Sequence, residues 1–199
     1  KEVDVEAAVK LATEYELKRL LIDVQKSNPG ATIESDESSL IQDEETSEVN
    51  RDAYITILNQ ADLDTWLEKL RSADLFAFDT ETTSLNYMEA EVVGVSFAIA
   101  EGEAAYLPVG HDYADAPEQL DRNDVLAQLK PILENPEIKK VGQHLKYDAN
   151  VLANYGIELK GIAFDTMLES YVFNSVATRH DMDSLATKYL SHNTIHFED

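Results

Sequence analysis

The stretch Leu75-Phe76-Ala77-Phe78-Asp79-Thr80-Glu81 joins an apolar run to two carboxylates. Its first four residues have the composition of a buried β-strand. Side chains two positions apart on a strand share a face, so Asp79 and Glu81 are predicted to project together from the strand's end. Hard oxygen ligands at such a place suit Mg²⁺ or Mn²⁺. An isolated Asp-x-Glu is more often a solvated turn, and that alternative stays open at this point.

The segments around this strand predict a mixed α/β sheet covered by helices. Strands come first in a run and then alternate with helices, which is typical of that class. The predicted strands are 54–58, 75–78, 92–98, 104–109, 140–142 and 162–164, and the predicted helices are 63–70, 121–134 with a kink or break at Pro131, 145–155, 166–175 and 182–190.

The first 52 residues have a different character from the rest. Residues 4–25 have helical spacing of apolar positions behind a capping Asp4. Residues 27–52 contain an acidic, Ser-rich run that cannot bury enough apolar surface to offset its ordering entropy, so we expect a flexible linker. The predicted organisation is thus a helix of a preceding domain over 1–26, a linker over 27–52, and a compact domain over 53–199.

Composition limits the classes of function. The net charge is −23, with 39 acidic and 16 basic residues, which argues against a protein that coats nucleic acid by neutralising phosphates. Any nucleic-acid contact is expected to be local and metal-assisted. Cysteine is absent, which excludes disulfides and thiolate metal sites. No run approaches the ~20 apolar residues of a membrane span, and the first residues do not resemble a secretory signal. The sequence begins with Lys1 rather than Met, so we expect it to be a piece of a longer protein.

Two further motifs carry polar groups to helix starts. Gly142-Gln143-His144-Leu145-Lys146-Tyr147-Asp148 joins a short strand to a helix, where His144 and Asp148 can share a face and Tyr147 can reach a phosphate. An acid in a first helical turn also simply complements the helix dipole. Asp165 is best explained as an N-cap rather than a metal ligand. Arg179, in a charged cluster before the last helix, is interpreted as part of a loop that could contact a phosphate.

Four segments together resemble a known family. They are FAFDTETTSL (76–85), VGQHLKYD (141–148), GIELKGIAFDTMLESY (156–171) and RHDMDSLATKYL (179–190). In this order they resemble the 3′→5′ proofreading exonuclease domain of the bacterial DNA polymerase I family, from about Tyr54 to Phe197. Residues 4–50 resemble the end of that family's 5′-nuclease domain and its linker. The resemblance implies an RNase H-like fold of the DnaQ exonuclease type.

The resemblance also implies roles for single residues. Asp79 matches a carboxylate that bridges two metals, Glu81 one that holds the first metal, and Asp148 one that serves the second. Leu85 matches a residue that wedges beside the terminal base, and Phe197 an aromatic that stacks on a base. Without the family, both would be interpreted as core positions. His144 stands where the family often has Asn, and we expect it to keep a role in positioning phosphate.

The implied activity is two-metal hydrolysis of the 3′-terminal phosphodiester of DNA, releasing deoxynucleoside 5′-monophosphates. The cofactors are two divalent cations, Mg²⁺ or Mn²⁺, with Zn²⁺ as an alternative. The implied partners are a single-stranded or frayed 3′ end of DNA and the polymerase domain of the same parent chain. The resemblance also implies a monomer in the bacterial cytoplasm, associated with the nucleoid and not with a membrane. The family's third motif, Tyr-x-x-x-Asp, is expected beyond residue 199, which predicts weak or no turnover. A catalytically incomplete scaffold and an RNA-directed exonuclease are the competing interpretations.

Overall fold

The computed structural model describes residues 4–14, 24, 54–176 and 179–194. The chain divides into two compact units after residue 47. In the first, α1 spans Val5–Glu14, and the Asp4 carboxylate caps it by accepting the Ala7 N–H at 3.0 Å. The predicted linker at 27–52 and Phe197 lie outside the described residues, as does most of the predicted helix beyond residue 14.

The second unit is built on a six-stranded mixed sheet with the order β1-β4-β3-β2-β5-β6 among the residues described. β2, β3 and β4 are antiparallel neighbours, whereas β5 and β6 continue parallel to β2 on its other side. β1 pairs in parallel with β4. The strands are β1 Ile55–Thr56, β2 Leu75–Thr82, β3 Val92–Ala100, β4 Glu103–Pro108, β5 Lys139–Gly142 and β6 Ile162–Asp165.

Within residues 54–176 and 179–194, five helices follow the predicted order around this sheet: α2 Gln60–Ser72, α3 Arg122–Leu133, α4 Leu145–Ala153, α5 Thr166–Phe173 and α6 Met182–Leu190. Pro131 does not end α3, which continues to Leu133 although the proline lacks one helical N–H donor. Among the residues described, no helix combines the length and the apolar character needed to cross a membrane.

The alternation of burial along β2 decides which side chains reach the core. Phe76, Phe78 and Thr80 are buried on one face, and Asp79 and Glu81 alternate with them on the other. The aromatic side chains of β2 pack against Phe97, with ring centroids 6.2 and 6.0 Å apart. The core also takes large buried side chains from α2, α3 and α4: Trp66, Leu63, Leu70, Leu129, Ile132, Leu133 and Leu145. β2 is thus held by its apolar face, which fixes the direction of its two carboxylates.

Candidate functional site

Asp79 and Glu81 project from one face of β2 into a groove of about 530 Å³. The prediction that they share a face is confirmed, but they lie within the strand, because β2 continues to Thr82 through its pairing with β3. Asp79 is opposite Ser96, which in turn is opposite Tyr106 on β4. Tyr106 and Gln143 also line the groove. The carboxylates thus stand on an open sheet surface that a ligand can reach.

Asp148 reaches the same strand from α4. Its Oδ1 accepts the Thr80 backbone N–H at 2.9 Å and the Thr80 hydroxyl at 2.6 Å. The pairing of β2 with β5 ends at Ala77 opposite Val141, so the Thr80 N–H has no strand partner on that side and is free for the carboxylate. Asp148 is almost fully buried. The gap between two parallel strands therefore brings a third carboxylate to the end of β2.

The three carboxylates act on one another electrostatically. The pKa of Asp79 is raised from 3.8 to about 7, mainly by burial and additionally by the charges of Asp148 and Glu81, against the lowering effect of a hydrogen bond from the Thr80 backbone. Burial also raises the pKa of Asp148, although the two bonds from Thr80 and the nearby His144 oppose that rise. Within 54–176 and 179–194, no Lys or Arg forms an ion pair with these three acids. The site thus concentrates uncompensated negative charge.

This donor set fits a hard divalent cation by its chemistry. Carboxylate oxygens are the ligands that Mg²⁺ and Mn²⁺ prefer, and a cation would offset the repulsion that raises the pKa of Asp79. Among the described residues, however, no three acidic or histidine side chains are already arranged to hold one ion. The reason is geometric: Asp148 bonds to Thr80, whose side chain lies on the face opposite Asp79 and Glu81. The three carboxylates therefore lie on different sides of the end of β2 and do not converge on one position.

His144 starts α4 in the left-handed conformation, with φ 61° and ψ 42°, and its side chain makes no cap bond. Asp165 provides the cap instead: its carboxylate accepts the N–H groups of His144 at 3.2 Å and Leu145 at 2.9 Å. The same carboxylate caps α5 by accepting the N–H groups of Met167 and Leu168. The prediction of Asp165 as an N-cap is confirmed, and one side chain serves two helices. The imidazole of His144 is left exposed beside Asp148.

The loop after β2 presents Leu85 with 95% of its surface exposed. The Tyr147 hydroxyl holds the base of this loop by bonds to the Thr82 hydroxyl, at 2.6 Å, and to the Ser84 carbonyl. On the far side, the Asn154 amide donates to the Tyr87 carbonyl at 2.7 Å. The leucine is therefore an apolar side chain in water on a loop tied to α4. The alternative interpretation of Leu85 as a core residue is wrong.

Arg179 precedes α6 with its side chain 90% exposed, and its guanidinium is 3.5 Å from the Asp181 carboxylate. The next residue, His180, is buried and stacks on Tyr171 with ring centroids 3.8 Å apart. The Gln143 amide donates to the His180 carbonyl at 2.8 Å, which ties this loop to the start of α4. The phosphate contacts predicted for Arg179, His144 and Tyr147 stay predictions.

Sequence reasoning missed Thr80, Tyr106 and His111 at this site. Thr80 stood between the two acids and was not assigned a function, although it anchors Asp148. Tyr106 and His111 belong to no recognised motif, yet the Tyr106 hydroxyl is 2.5 Å from His111 Nε2 beside the groove. The only local signal was an aromatic on the open face of a predicted strand, which does not distinguish a site from packing.

Comparison with known proteins adds a family to this geometry. A profile described as 3′-5′ exonuclease matches residues 54–199. The chain is 55% identical to DNA polymerase I of Pseudomonas aeruginosa over 196 residues, which cover 98% of this chain and 21% of that protein. It is 42% identical to DNA polymerase I of Rhizobium leguminosarum over 164 residues, covering 74% of this chain and 16% of that protein. The chain therefore spans about a fifth of these relatives' length.

Solved structures share the fold at low identity. RNase D of Trypanosoma brucei in complex with RNA U12 has a TM-score of 0.58 and 16% identity, covering 80% of this chain and 52% of that one. Escherichia coli RNase D, an exoribonuclease, has a TM-score of 0.55 and 18% identity, and the match covers 73% of this chain and 35% of that one. These likenesses confirm the predicted RNase H-like fold of the DnaQ exonuclease type. From the profile over residues 54–199 and the identity to bacterial DNA polymerase I, we conclude that the chain belongs to the 3′-5′ exonuclease family of these polymerases.

Proposed function

We propose that this chain hydrolyses the 3′-terminal phosphodiester of DNA with two divalent cations, as the proofreading part of a bacterial DNA polymerase I. The observation that carries the proposal is the cluster of Asp79, Glu81 and Asp148 around the end of β2, where no Lys or Arg in the described part of the chain forms an ion pair with them. The products would be deoxynucleoside 5′-monophosphates. The parent protein would act in replication and repair in the cytoplasm.

Asp79, Glu81 and Asp148 are the residues that would hold the cations, Mg²⁺ or Mn²⁺ in preference to Zn²⁺. Once bound, the cations would activate a water molecule for attack and stabilise the charge that develops on the leaving 3′ oxygen. Asp79 must lose its proton to serve as a ligand, and its pKa of about 7 couples cation binding to proton release. The bonds from Thr80 keep Asp148 in one orientation and favour its charged form.

The surroundings suit a frayed end of DNA. Leu85 stands in solvent on a tethered loop, so it is accessible to a terminal base and the loop backbone loses little freedom when a base packs against the side chain. Arg179 and His144 are exposed and near the start of α4, where phosphates could be held. A net charge of −23 disfavours long contacts with the backbone of DNA, so only a short terminus would be held. A mismatch makes that terminus easier to unpair.

A nuclease assay with matched variants tests the proposal. The purified 199-residue chain is incubated with Mn²⁺ or Mg²⁺ and 3′-labelled single-stranded DNA, with an RNA of the same sequence as competitor. We expect slow, cation-dependent release of mononucleotides from DNA, because three carboxylates are few donors for two octahedral ions. The double variant Asp79→Ala/Glu81→Ala should release none. Release that persists in this variant, or that proceeds in EDTA, would contradict the proposal, and preferential cleavage of RNA would favour the RNA-directed alternative.

A catalytically incomplete scaffold is the second candidate, and one observation favours it. No three acidic or histidine side chains of the described part of the chain are yet arranged around a common ion. Calorimetric titration with Mn²⁺ separates the two candidates, because a scaffold should show no binding that depends on Asp79 and Glu81. Binding that these two substitutions abolish would support the exonuclease.

A further inference from the structure

Tyr106 occupies a place on the open sheet face that no proposed step has used. Its ring stands on β4 in the cross-strand row of Asp79 and Ser96. Its hydroxyl leans along the sheet to Gly94, where a Cβ atom would meet the hydroxyl oxygen at 1.9 Å. Gly94 is the residue directly opposite Glu81. The absence of a side chain at position 94 thus lets the hydroxyl lie on the sheet surface over Gly94, one cross-strand position from Glu81.

The pKa of Tyr106 also reflects an interaction between its hydroxyl and the Glu81 carboxylate. The pKa of Tyr106 is raised to about 12, mainly by burial and secondly by the charge of Glu81. A tyrosine hydroxyl carries one proton that it can donate in a hydrogen bond. A neighbouring carboxylate attracts that proton, because a hydrogen bond to a charged acceptor is stronger than one to a neutral acceptor.

His111 determines which way the hydroxyl can point. Its Nε2 is 2.5 Å from the Tyr106 oxygen, and Gln119 fixes its backbone on both sides by bonds of 2.9 and 2.8 Å. If His111 donates Nε2–H to the oxygen, the hydroxyl proton must turn elsewhere, and the negative charge of Glu81 favours its own side. The other face of the imidazole ring meets the Tyr113 ring, edge-on at 5.9 Å, so the histidine is held in place from two directions.

We propose that Tyr106, oriented by His111, is a positioning residue that fixes the Glu81 carboxylate for binding of a divalent cation. This inference rests on the proposed function, and it adds a hydroxyl to a site otherwise described by acids alone. The physical gain is pre-organisation. Glu81 is exposed on the strand, so a donor that holds its carboxylate lowers the entropy lost when an ion binds.

Titration of the full chain with Mn²⁺ alone, followed by calorimetry, tests the inference without any nuclease readout. Tyr106→Phe removes the hydroxyl and keeps the ring. We expect it to weaken Mn²⁺ binding about tenfold, the effect of losing one hydrogen bond to a charged group. Tyr113→Phe is the matched control, since it removes a hydroxyl from the other neighbour of His111, and it should leave the affinity unchanged. His111→Ala should weaken binding about threefold, because the hydroxyl remains without its orienting partner.

A double-mutant cycle with Glu81→Gln separates positioning from a merely structural role. If Tyr106 acts through Glu81, Tyr106→Phe has no further effect on Mn²⁺ affinity once the carboxylate is gone. Independent, additive effects, or unchanged affinity in both Tyr106→Phe and His111→Ala, would overturn the inference while the proposed function stands. A parent chain that binds no Mn²⁺ would overturn both together. Circular dichroism of each variant establishes that it is folded.

Discussion

The burial of the Asp79 carboxylate, together with repulsion from Asp148 and Glu81, should make the site a source of instability without a cation. Asp79→Asn removes one charge and keeps the shape of the side chain. A rise in the Asp79 pKa from 3.8 to about 7 corresponds to about 4 kcal/mol at ~1.4 kcal/mol per pKa unit. Asp79 is partly exposed, so solvent screening reduces this value, and we expect the variant to be more stable by about 2 kcal/mol above pH 7.

The dependence on pH has a definite sign. Below pH 3.8, Asp79 is protonated in both the folded and the unfolded chain, so it contributes no difference in stability. Between pH 3.8 and about 7, the unfolded chain ionises first, and the free energy of unfolding of the parent falls as pH rises. The advantage of Asp79→Asn should therefore be absent at pH 3.5, grow through this window and be complete at pH 8.

The assay is thermal and urea unfolding followed by circular dichroism, in EDTA, at pH 3.5, 5.5 and 8. An increase of about 2 kcal/mol corresponds to about 4–8 °C in Tm for a domain of this size. Asp115→Asn is the matched control, because Asp115 is exposed in a turn outside the sheet, and it should change Tm little. Mn²⁺ at 100 times its Kd should stabilise the parent by about 2.7 kcal/mol and the variant much less. A variant that is no more stable than the parent at pH 8 in EDTA would refute the electrostatic reasoning.

Three further substitutions address the supports of the site. Asp165→Ala should lower the free energy of unfolding by about 2–4 kcal/mol, measured by urea unfolding, because two helices lose their N-caps at once; a loss below 1 kcal/mol would contradict the double cap. Thr80→Val should cost about 1–2 kcal/mol in the same measurement at pH 8, since Asp148 keeps only the backbone donor; no change would show that the hydroxyl bond is unimportant. Leu85→Ala should leave Tm within about 1 °C, because the side chain is 95% exposed, but slow the trimming of a mismatched 3′ end; a large fall in Tm would show that Leu85 packs in the fold.

The parts of the site that depend on local periodicity could be predicted from the sequence. Asp79 and Glu81 share a face because a strand repeats every two residues, whatever the rest of the chain does. Asp165 caps α5 because its carboxylate accepts N–H groups two and three residues ahead. The order of strands and helices could also be predicted from apolar runs and turn residues. The predicted end of β2 was wrong by a few residues, because the strand continues through Asp79 and Glu81 to Thr82.

The contacts that complete the site could not be predicted, since they join distant segments. The Thr80–Asp148 bond spans 68 residues and exists only because β5 diverges from β2 after Ala77. The position of the Tyr106 hydroxyl depends on the register that puts Gly94 opposite Glu81. Neither register nor divergence can be read from composition, because both result from the packing of whole strands.

The shared cap at Asp165 has a consequence for how this part of the molecule opens. The amides of His144 and Leu145, at the start of α4, and of Met167 and Leu168, at the start of α5, depend on one carboxylate. Rupture at either helix start leaves that carboxylate partly unpaired, so release of one favours release of the other. The two helix starts should therefore exchange their amide hydrogens with solvent as a single cooperative unit. The first turn of α4, which carries Asp148, should then open with the same frequency as the first turn of α5, which follows β6.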